Sequence, residues 1–385
     1  MLYTYSFANR KRDLADIMST VIKDEPRFIS NFRTGADAVQ RKHEWVEDQL
    51  SGRGFTASAI SGSTLTLSGS DAAKAVPGML IALKDDPALF KVTKVESTSI
   101  QIALVSANGS TLTDVSGLPA GGADFIIVST PMSEGSANGD GDENFNSSVV
   151  EWNATQIFRK EIVISGSALA VTLNGSADNQ LNRQTAFALS DLARDLNRVA
   201  LFGRRVEPQN GIHGEAGGLY YFCTRENSLS IDAGKTRLDS FNINDAAQKV
   251  LGEGGDPMQI LCSPGQARVI SNEYRDRIQI LRSDDRRGAY VAVIVNEING
   301  RGMTIMADPD VPDTDAWVLD PQCFALANLT GRAITDTDAP PKGFDGIRRV
   351  AIGELTFEFR NAAQRCCRLT NLMPSGEAIA ALRGN

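Results

Sequence analysis

The chain has 385 residues, 42% of them hydrophobic and 22% charged, with a formal net charge of −8 at pH 7. That length holds two or three domains with a sizeable core, and the balance is ordinary globular material. The acidic surplus excludes a surface built to grip nucleic-acid phosphates wholesale and leaves only local basic patches for such contacts.

"MLYTYSFANRKR" at the start places its charge after its apolar residues and has no apolar core segment, so no signal peptide is expected. The longest apolar runs, "AYVAVIV" (289–295) and "FIIV" (125–128), are strand-length and too short to cross a bilayer. Together these predict a soluble protein made in the cytoplasm, with no membrane partner. Residues 12–24 read as an amphipathic helix. Leu14, Ile17, Met18, Val21 and Ile22 share one face, and Pro26 stops the run. The segment then passes through Phe28, Ile29 and Phe32 to "RKHEWVEDQL" (41–50), an arm with too few apolar residues to fold alone.

Residues 51–130 turn to Gly, Ser, Thr and small apolar residues. Strands are expected at "STLTLS", "MLIAL", "FKVTKV", "SIQIALV" and "FIIVS", making a small all-β insert. Residues 131–151 carry five acids (Glu134, Asp140, Asp142, Glu143, Glu151) and no base, a composition that predicts a projecting loop. "QIFRKEIVISG" follows as a strand, so an extended hairpin is expected. Over 178–202, Leu181, Ala188, Leu189, Leu192, Leu196, Val199 and Ala200 form one stripe, with Asp178 as cap and Gly203 as stop. Such a helix is about 37 Å long, and its other face carries Arg183, Arg194 and Arg198. Helices and strands then alternate. "NINDAAQKVLGEGG" is helical with Asn244 as cap and Gly252 as stop. "SPGQARVISNEY" has a capping box of Ser263 and Gln266 around Pro264. "AYVAVIVNEI", "GMTIMAD" and "AWVLD" are strands. In "ELTFEFRNA", Leu355, Phe357 and Phe359 share one face and Thr356 and Glu358 the other.

Material for chemistry is sparse. His43-Glu44-x-x-Glu47, with Asp48 beside it, looks like a damaged zinc-protease helix. Such a helix needs histidines at i and i+4, and position 47 is Glu. A buried Trp45 whose charged neighbours are paired is the structural reading. "NGDGDEN" (138–144) spaces carboxylates like a calcium loop, but its sixth and twelfth positions hold Glu143 and Val149 in place of Gly and Glu. "GIHGEAGG" (211–218) reads as a turn. The cysteines at 223, 262, 323, 366 and 367 form no C-x-x-C pair, and two histidines leave no zinc spacing, so buried free thiols are expected. No cofactor, metal or catalytic residue is assigned.

The order of parts resembles the major capsid protein fold of tailed bacteriophages, in the branch with a β-rich insert before the extended loop. "RDLADIMSTVIKDEPRFISNF" (12–32), "HEWVEDQL" (43–50), "GMTIMADPDVPDTDAWVLD" (302–320) and "GELTFEFRNAAQRCCRLTNL" (353–372) carry the resemblance. His43 stands where an aromatic or apolar residue is more usual in that branch. The resemblance implies an α+β fold: arm (1–50), inserted β domain (51–130), extended loop (131–165), peripheral domain with a long spine helix (166–240), axial domain (241–345), and closing peripheral strands with a tail (346–385). It further implies a structural protein that assembles with itself, in hexamers and pentamers, into an icosahedral head around double-stranded DNA. Its location would be the virion. Its partners would be a portal, a scaffold or decoration protein, and DNA by non-specific contact only.

In this reading Trp45 anchors the arm while Glu44 and Asp48 pair with nearby bases. The acidic loop (Glu134, Asp140, Asp142, Glu143 and Glu151) is expected to lie over Arg183, Arg194 and Arg198 of a neighbour. The loop holds no lysine between 131 and 159, so a lysine–asparagine crosslink is not expected there. The alternatives are a phage tail-tube or sheath subunit, an encapsulin-like shell, and a metal-dependent hydrolase using His43, Glu44, Glu47 and Asp48.

Overall fold

The computed structural model describes residues 27–48, 54–72, 74–112, 114–119, 122–132, 134, 148–170, 180–225, 228–273, 293–339 and 343–383. The helix expected over 12–24, the cap Asp178, the calcium-like stretch, and Asp140, Asp142 and Glu143 lie outside them. The chain forms two compact units, Met1–Trp45 with Val150–Asn385, and Val46–Val149. No helix among the described residues is long and apolar enough to cross a membrane.

The smaller unit is an antiparallel seven-stranded sheet. Its strands are Gly54–Ala57, Ala59–Ser61, Thr64–Thr66, Leu80–Leu83, Leu89–Val95, Ser99–Ser106 and Ala123–Ser129. The last five fall where alternation predicts them. In Leu89–Val95, for example, Phe90 and Val92 are buried while Lys91 and Thr93 are exposed. The first two strands are not foreshadowed, being short and interrupted at Ser58. They stand at opposite ends of the sheet order yet adjoin in sequence, and Ser58 N donates to Thr66 O at 2.8 Å. The sheet therefore closes on itself as a small barrel, which removes exposed strand edges. Phe55, Leu65, Ile81, Phe90, Ile100 and Phe125 fill it.

Two large sheets build most of the larger unit. In the first, the closing strand Gly346–Phe359 pairs with Gln156–Ser165 on one side and Phe324–Asn328 on the other. Arg33–Thr34 of the arm adds parallel to Phe324–Asn328, and Thr335–Asp338 also pairs with the closing strand. Residues 135–147, where the other limb of the expected hairpin would run, lie outside the described residues. Gln156–Ser165 pairs antiparallel with the closing strand, and Val149–Ala154 pairs with Lys42–Glu47 of the arm.

The second sheet runs Leu229–Asp232, Cys366–Thr370, Ala316–Leu319, Gln259–Cys262, Gly302–Ala307 and Val293–Val295. Both its faces are buried. Leu261, Trp317, Leu319 and Cys366 enter one core, while Ile260, Val318 and Cys367 enter the other, beneath Ile243, Ala247 and Ile270 of two helices. That double burial is why "AWVL" reads as a continuous apolar run. A boundary at 345 does not separate the sheets: Phe324–Asn328 and Thr335–Asp338 join the closing strand, and Cys366–Thr370 crosses into the second sheet.

The helix Ser240–Gly252 is capped by Asp239, whose Oδ1 accepts from Asn242 N at 2.9 Å. Asn244, the expected cap, instead sits inside the helix and accepts from Glu297 N. Helix Pro264–Glu273 starts as expected, with Ser263 Oγ accepting from Gln266 N at 3.1 Å. The reciprocal half of the capping box is not made, because Gln266 Nε2 donates to the carbonyls of Asp313 and Met373.

The long helix spans Gln180–Phe202. Leu192, Leu196 and Ala200 are buried, whereas Leu189 is 40% exposed, so the apolar stripe outruns the core of its own subunit. Gly203 ends the helix. A Cβ there would run into the carbonyls of Ala216 and Val199, and one at Gly218 into those of Val199, Ala200 and Leu201. The glycines let the 204–217 loop fold back tightly on the helix end, with Val206 bridged to Glu215.

Candidate functional site: an arm clamped to the closing strand

The arm crosses the larger unit as a strap with polar stitches along its length. At its start, Phe28 N donates to Asp308 Oδ2 at 3.1 Å and Ile29 N to Asn197 Oδ1 at 3.1 Å. Asn197, wholly buried on the long helix, donates from Nδ2 to Asp308 and Asp310, each at 3.0 Å. Asn31 Oδ1 accepts from Gln259 Nε2 at 3.1 Å, which ties the arm to the second sheet. Further on, Gly35 N and Ala38 N donate to the carbonyls of Leu326 and Asn328, both at 2.7 Å.

Beneath the strap lies an aromatic cluster. Phe28 meets Phe32 and Phe324 edge-on at 5.2 and 5.5 Å, Phe32 stacks on Phe324 at 5.3 Å, and Phe222 stacks on Phe359 at 4.9 Å. Trp45 closes it, 5% exposed and 6.0 Å from Phe222. Replacing Asn197 with leucine strands the Ile29 N–H and removes one donor from Asp308. The expected cost is about 1–3 kcal/mol, read from the urea midpoint, with faster amide exchange at Phe28 and Ile29.

The closing strand explains the charges around Trp45. Its alternation is as predicted, but its polar face is buried too, with Glu354 at 3% and Glu358 at 1% exposure. Carboxylates in such places must be paired. His43 Nε2 lies 2.7 Å from Glu358 Oε1, and Arg360 Nη2 lies 2.7 Å from Oε2. Burial works against charge on Glu358, yet the hydrogen bonds from His43 and Arg360 outweigh it and hold the carboxyl below its usual range. Glu354 accepts from Thr155 Oγ1 at 2.6 Å, with Arg332 at 3.1 Å and Arg41 at 3.9 Å.

Residues 42–47 are thus a strand and not a zinc-protease helix, and His43 serves a buried carboxylate. Glu44 pairs with Lys42 at 2.8 Å. Asp48 is exposed and forms no ion pair among the described residues, so the pairing expected of it is not made there.

A second cluster adjoins the arm strand. Lys42 lies 4.9 Å from the ring of Trp152, and the Arg205 guanidinium lies 4.2 Å from the same ring and 5.2 Å from that of Tyr221. Arg225 continues the ladder over Tyr221 and Phe222 at 4.8 and 4.9 Å. Glu151 bridges Arg205 and Arg225. Burial opposes its charge, and the two guanidinium hydrogen bonds still hold its carboxyl low. Glu151 is therefore engaged by two guanidinium groups inside its own subunit.

The basic face of the long helix is also partly engaged. Arg194 pairs with Asp191 at 3.2 Å, Arg198 with Asp310 at 3.1 Å, and Arg183 lies 5.4 Å from the Phe187 ring. Lys160 pairs with Asp195 at 2.5 Å. All five cysteines are free and buried, as expected. Sequence reasoning missed Glu354, Glu358, Asn197, Asp308 and the Arg205–Glu151–Arg225 bridge. The signal for the first two was present: acids at alternate positions in a strand otherwise full of Phe and Leu, and basic Arg41 and His43 at the same period of two.

This architecture, two sheets braced by a long helix and strapped by an arm, with a barrel as a separate unit, is that of a tailed-phage capsid subunit. The chain shares its fold with the capsid of Cyanophage A-1(L), at a TM-score of 0.59 and 10% identity, covering 97% of this chain and 100% of that one. It is likewise similar to the capsid of an empty GTA particle, at a TM-score of 0.52 and 9% identity, covering 97% and 100%. No curated protein matches in sequence. The family model of the SU10 major capsid protein matches residues 2–373, and the chain belongs to that family. It is a structural capsid protein of the virion that assembles with copies of itself.

Proposed function

We propose that the chain tiles a closed icosahedral bacteriophage head, in hexamers and pentamers, around double-stranded DNA. The observation that carries this reading is the family match over residues 2–373. The strapped arm supports it: a shell tile is held by several modest contacts at once, and multivalency adds them only when each element is fixed in place. Synthesis takes place in the host cytoplasm. The further partners are a portal protein and a scaffold or decoration protein, and DNA is met non-specifically, in keeping with the net charge of −8.

Residues 1–50 act as arm, 51–130 as insert and 131–165 as extended loop; the sheet of the closing strand serves as peripheral domain and the sheet that holds Cys366–Thr370 as axial domain, each drawing strands from both sides of residue 345. Glu44 and Asp48 mark the arm side of the subunit contacts, while Trp45, buried in the core of its own subunit, anchors the strand that carries them. Asp142 and Glu143 meet Arg183, Arg194 and Arg198 of a neighbour. Because exposed ion pairs are worth only about 0–1 kcal/mol, the arginines can exchange their own partners for a neighbour's carboxylates, and the pairing sets register more than affinity. Reversal of Asp142 and Glu143 to lysine is expected to leave the subunit folded by circular dichroism and to cut the yield of closed particles in a sucrose gradient. Undiminished particle yield removes this contact. The reading as a whole is tested by expressing the chain and imaging it by negative stain: closed isometric shells are expected, and tubes point to the tail-tube or sheath class.

A further inference from the structure

Three of the five cysteines converge on one core from three different elements. Cys223 follows the short helix Leu219–Phe222, Cys323 ends the turn Pro321–Cys323, and Cys366 opens the strand Cys366–Thr370. Cys366 and its neighbour Cys367 point to opposite faces of the sheet, so Cys367 and Cys262 belong to the other core. Within the trio, Cys323 Sγ lies 3.7 Å from Cys366 Sγ, across 43 residues of chain. That is sulfur–sulfur contact, and a bond of about 2.05 Å requires the two sulfurs to close the remaining gap. The thiols are not equivalent. Cys323 also donates to the Asp320 carbonyl at 2.9 Å, and Cys223 to the Ala362 carbonyl at 3.5 Å. Burial opposes ionisation of Cys366, but hydrogen bonds from Cys223, Cys323 and the Asp320 backbone outweigh it and bring that thiol down to about 5. Burial pushes Cys323 and Cys223 well up. The hydrogen bonds that converge on Cys366 favour it over its two neighbours as the nucleophile.

We propose that Cys323 and Cys366 are a latent disulfide, closed by a small neutral peroxide once the chain leaves a reducing compartment. The Cys366 thiolate attacks one peroxide oxygen and the O–O bond breaks, giving a sulfenic acid and hydroxide. The Cys323 thiol then attacks that sulfur. Its proton and the sulfenic hydroxyl leave as water, and the S–S bond forms. Two thiols are oxidised by two electrons and one hydrogen peroxide is reduced to two waters. A water-sized uncharged oxidant reaches a core of this kind through local opening, so the reaction is slow and selective. The bond joins the turn that feeds Phe324–Asn328 of the first sheet to Cys366–Thr370 of the second, and so fastens the two sheets of one tile together.

The test uses the full chain. It is incubated under native conditions with hydrogen peroxide, cleared with catalase, denatured in N-ethylmaleimide without reductant, digested and mapped by mass spectrometry. The expected map shows a Cys323–Cys366 linkage, loss of two of the five alkylatable thiols, and Cys262 and Cys367 still alkylated. In Cys323→Ser the linkage is absent and dimedone traps Cys366 as its sulfenic acid. Should that variant not fold, the wild-type map decides alone. Five alkylated thiols after peroxide, oxidation to sulfinic acid without a linkage, or a linkage of Cys366 to Cys223 overturns the proposal.

Discussion

Replacing Trp45 with alanine is expected to lower the stability of the subunit by about 3–5 kcal/mol, the cost of emptying a buried aromatic site. The side chain is 5% exposed and closes the cluster that contains Phe222, Phe357 and Phe359. Its loss opens a cavity where the arm crosses the closing strand. The same change frees the strand that carries His43, so the effect exceeds that of removing an isolated core residue. Denaturant unfolding reads the loss. Amide exchange locates it, with Gly35 and Ala38 losing protection although their hydrogen bonds to Leu326 and Asn328 are not touched by the substitution. A conservative Trp45→Phe restores most of the stability, because it keeps the ring against Phe222. A stable Trp45→Ala subunit with a protected arm would show that the strap is held elsewhere.

The second large effect comes from the buried carboxylate. The double variant His43→Ala with Arg360→Ala leaves Glu358 charged and unpaired at 1% exposure, and is expected to cost about 3–5 kcal/mol. Glu358→Gln is milder, at about 1–3 kcal/mol, since an amide still offers an oxygen to the two donors. The variants also differ in acid. Glu358 has its carboxyl held below its ordinary value near 4.5 in the folded state. A depressed carboxylate contributes stability that is fully present above its unfolded value and is lost as pH falls through its folded value. Stability of the wild type is therefore expected to fall as pH drops below about 4.5, and Glu358→Gln flattens that part of the curve. Glu151 titrates in the same direction, so some acid sensitivity persists in the variant. Urea midpoints measured from pH 7 downward give both slopes, and parallel curves for wild type and Glu358→Gln contradict this assignment.

Local pattern carried the secondary structure well where one face meets solvent. The barrel strands and the helix Gln180–Phe202 were legible because apolar residues recur at two and at about 3.6. The same pattern said less about what each face meets. Leu189 belongs to the helical stripe but stays exposed, because the core of the subunit ends near Leu192. Thr356 and Glu358 form the polar face of the alternation, yet they are buried because the arm, more than 300 residues earlier in sequence, lies across them. The cap of Ser240–Gly252 was misplaced because "DSFNIND" offers Asp239, Asn242 and Asn244, all able to accept from a helix N-terminus, and tertiary contact with Glu297 chose among them. Strand partners were the least legible. Gln156–Ser165 is a strand by its own residues, but nothing local states that it pairs with Gly346–Phe359.

The central claim is that this chain closes into shells as a tile whose residues 27–48 strap its own body. An electron cryo-microscopy reconstruction of the assembled particle tests it most directly. The account predicts a closed icosahedral shell in which each subunit keeps Trp45 against its own Phe222 and His43 against its own Glu358, with 180–202 as one unbroken helix. A tubular assembly, a chain that stays monomeric at every concentration and salt, or an arm seated on the neighbouring subunit's closing strand contradicts it.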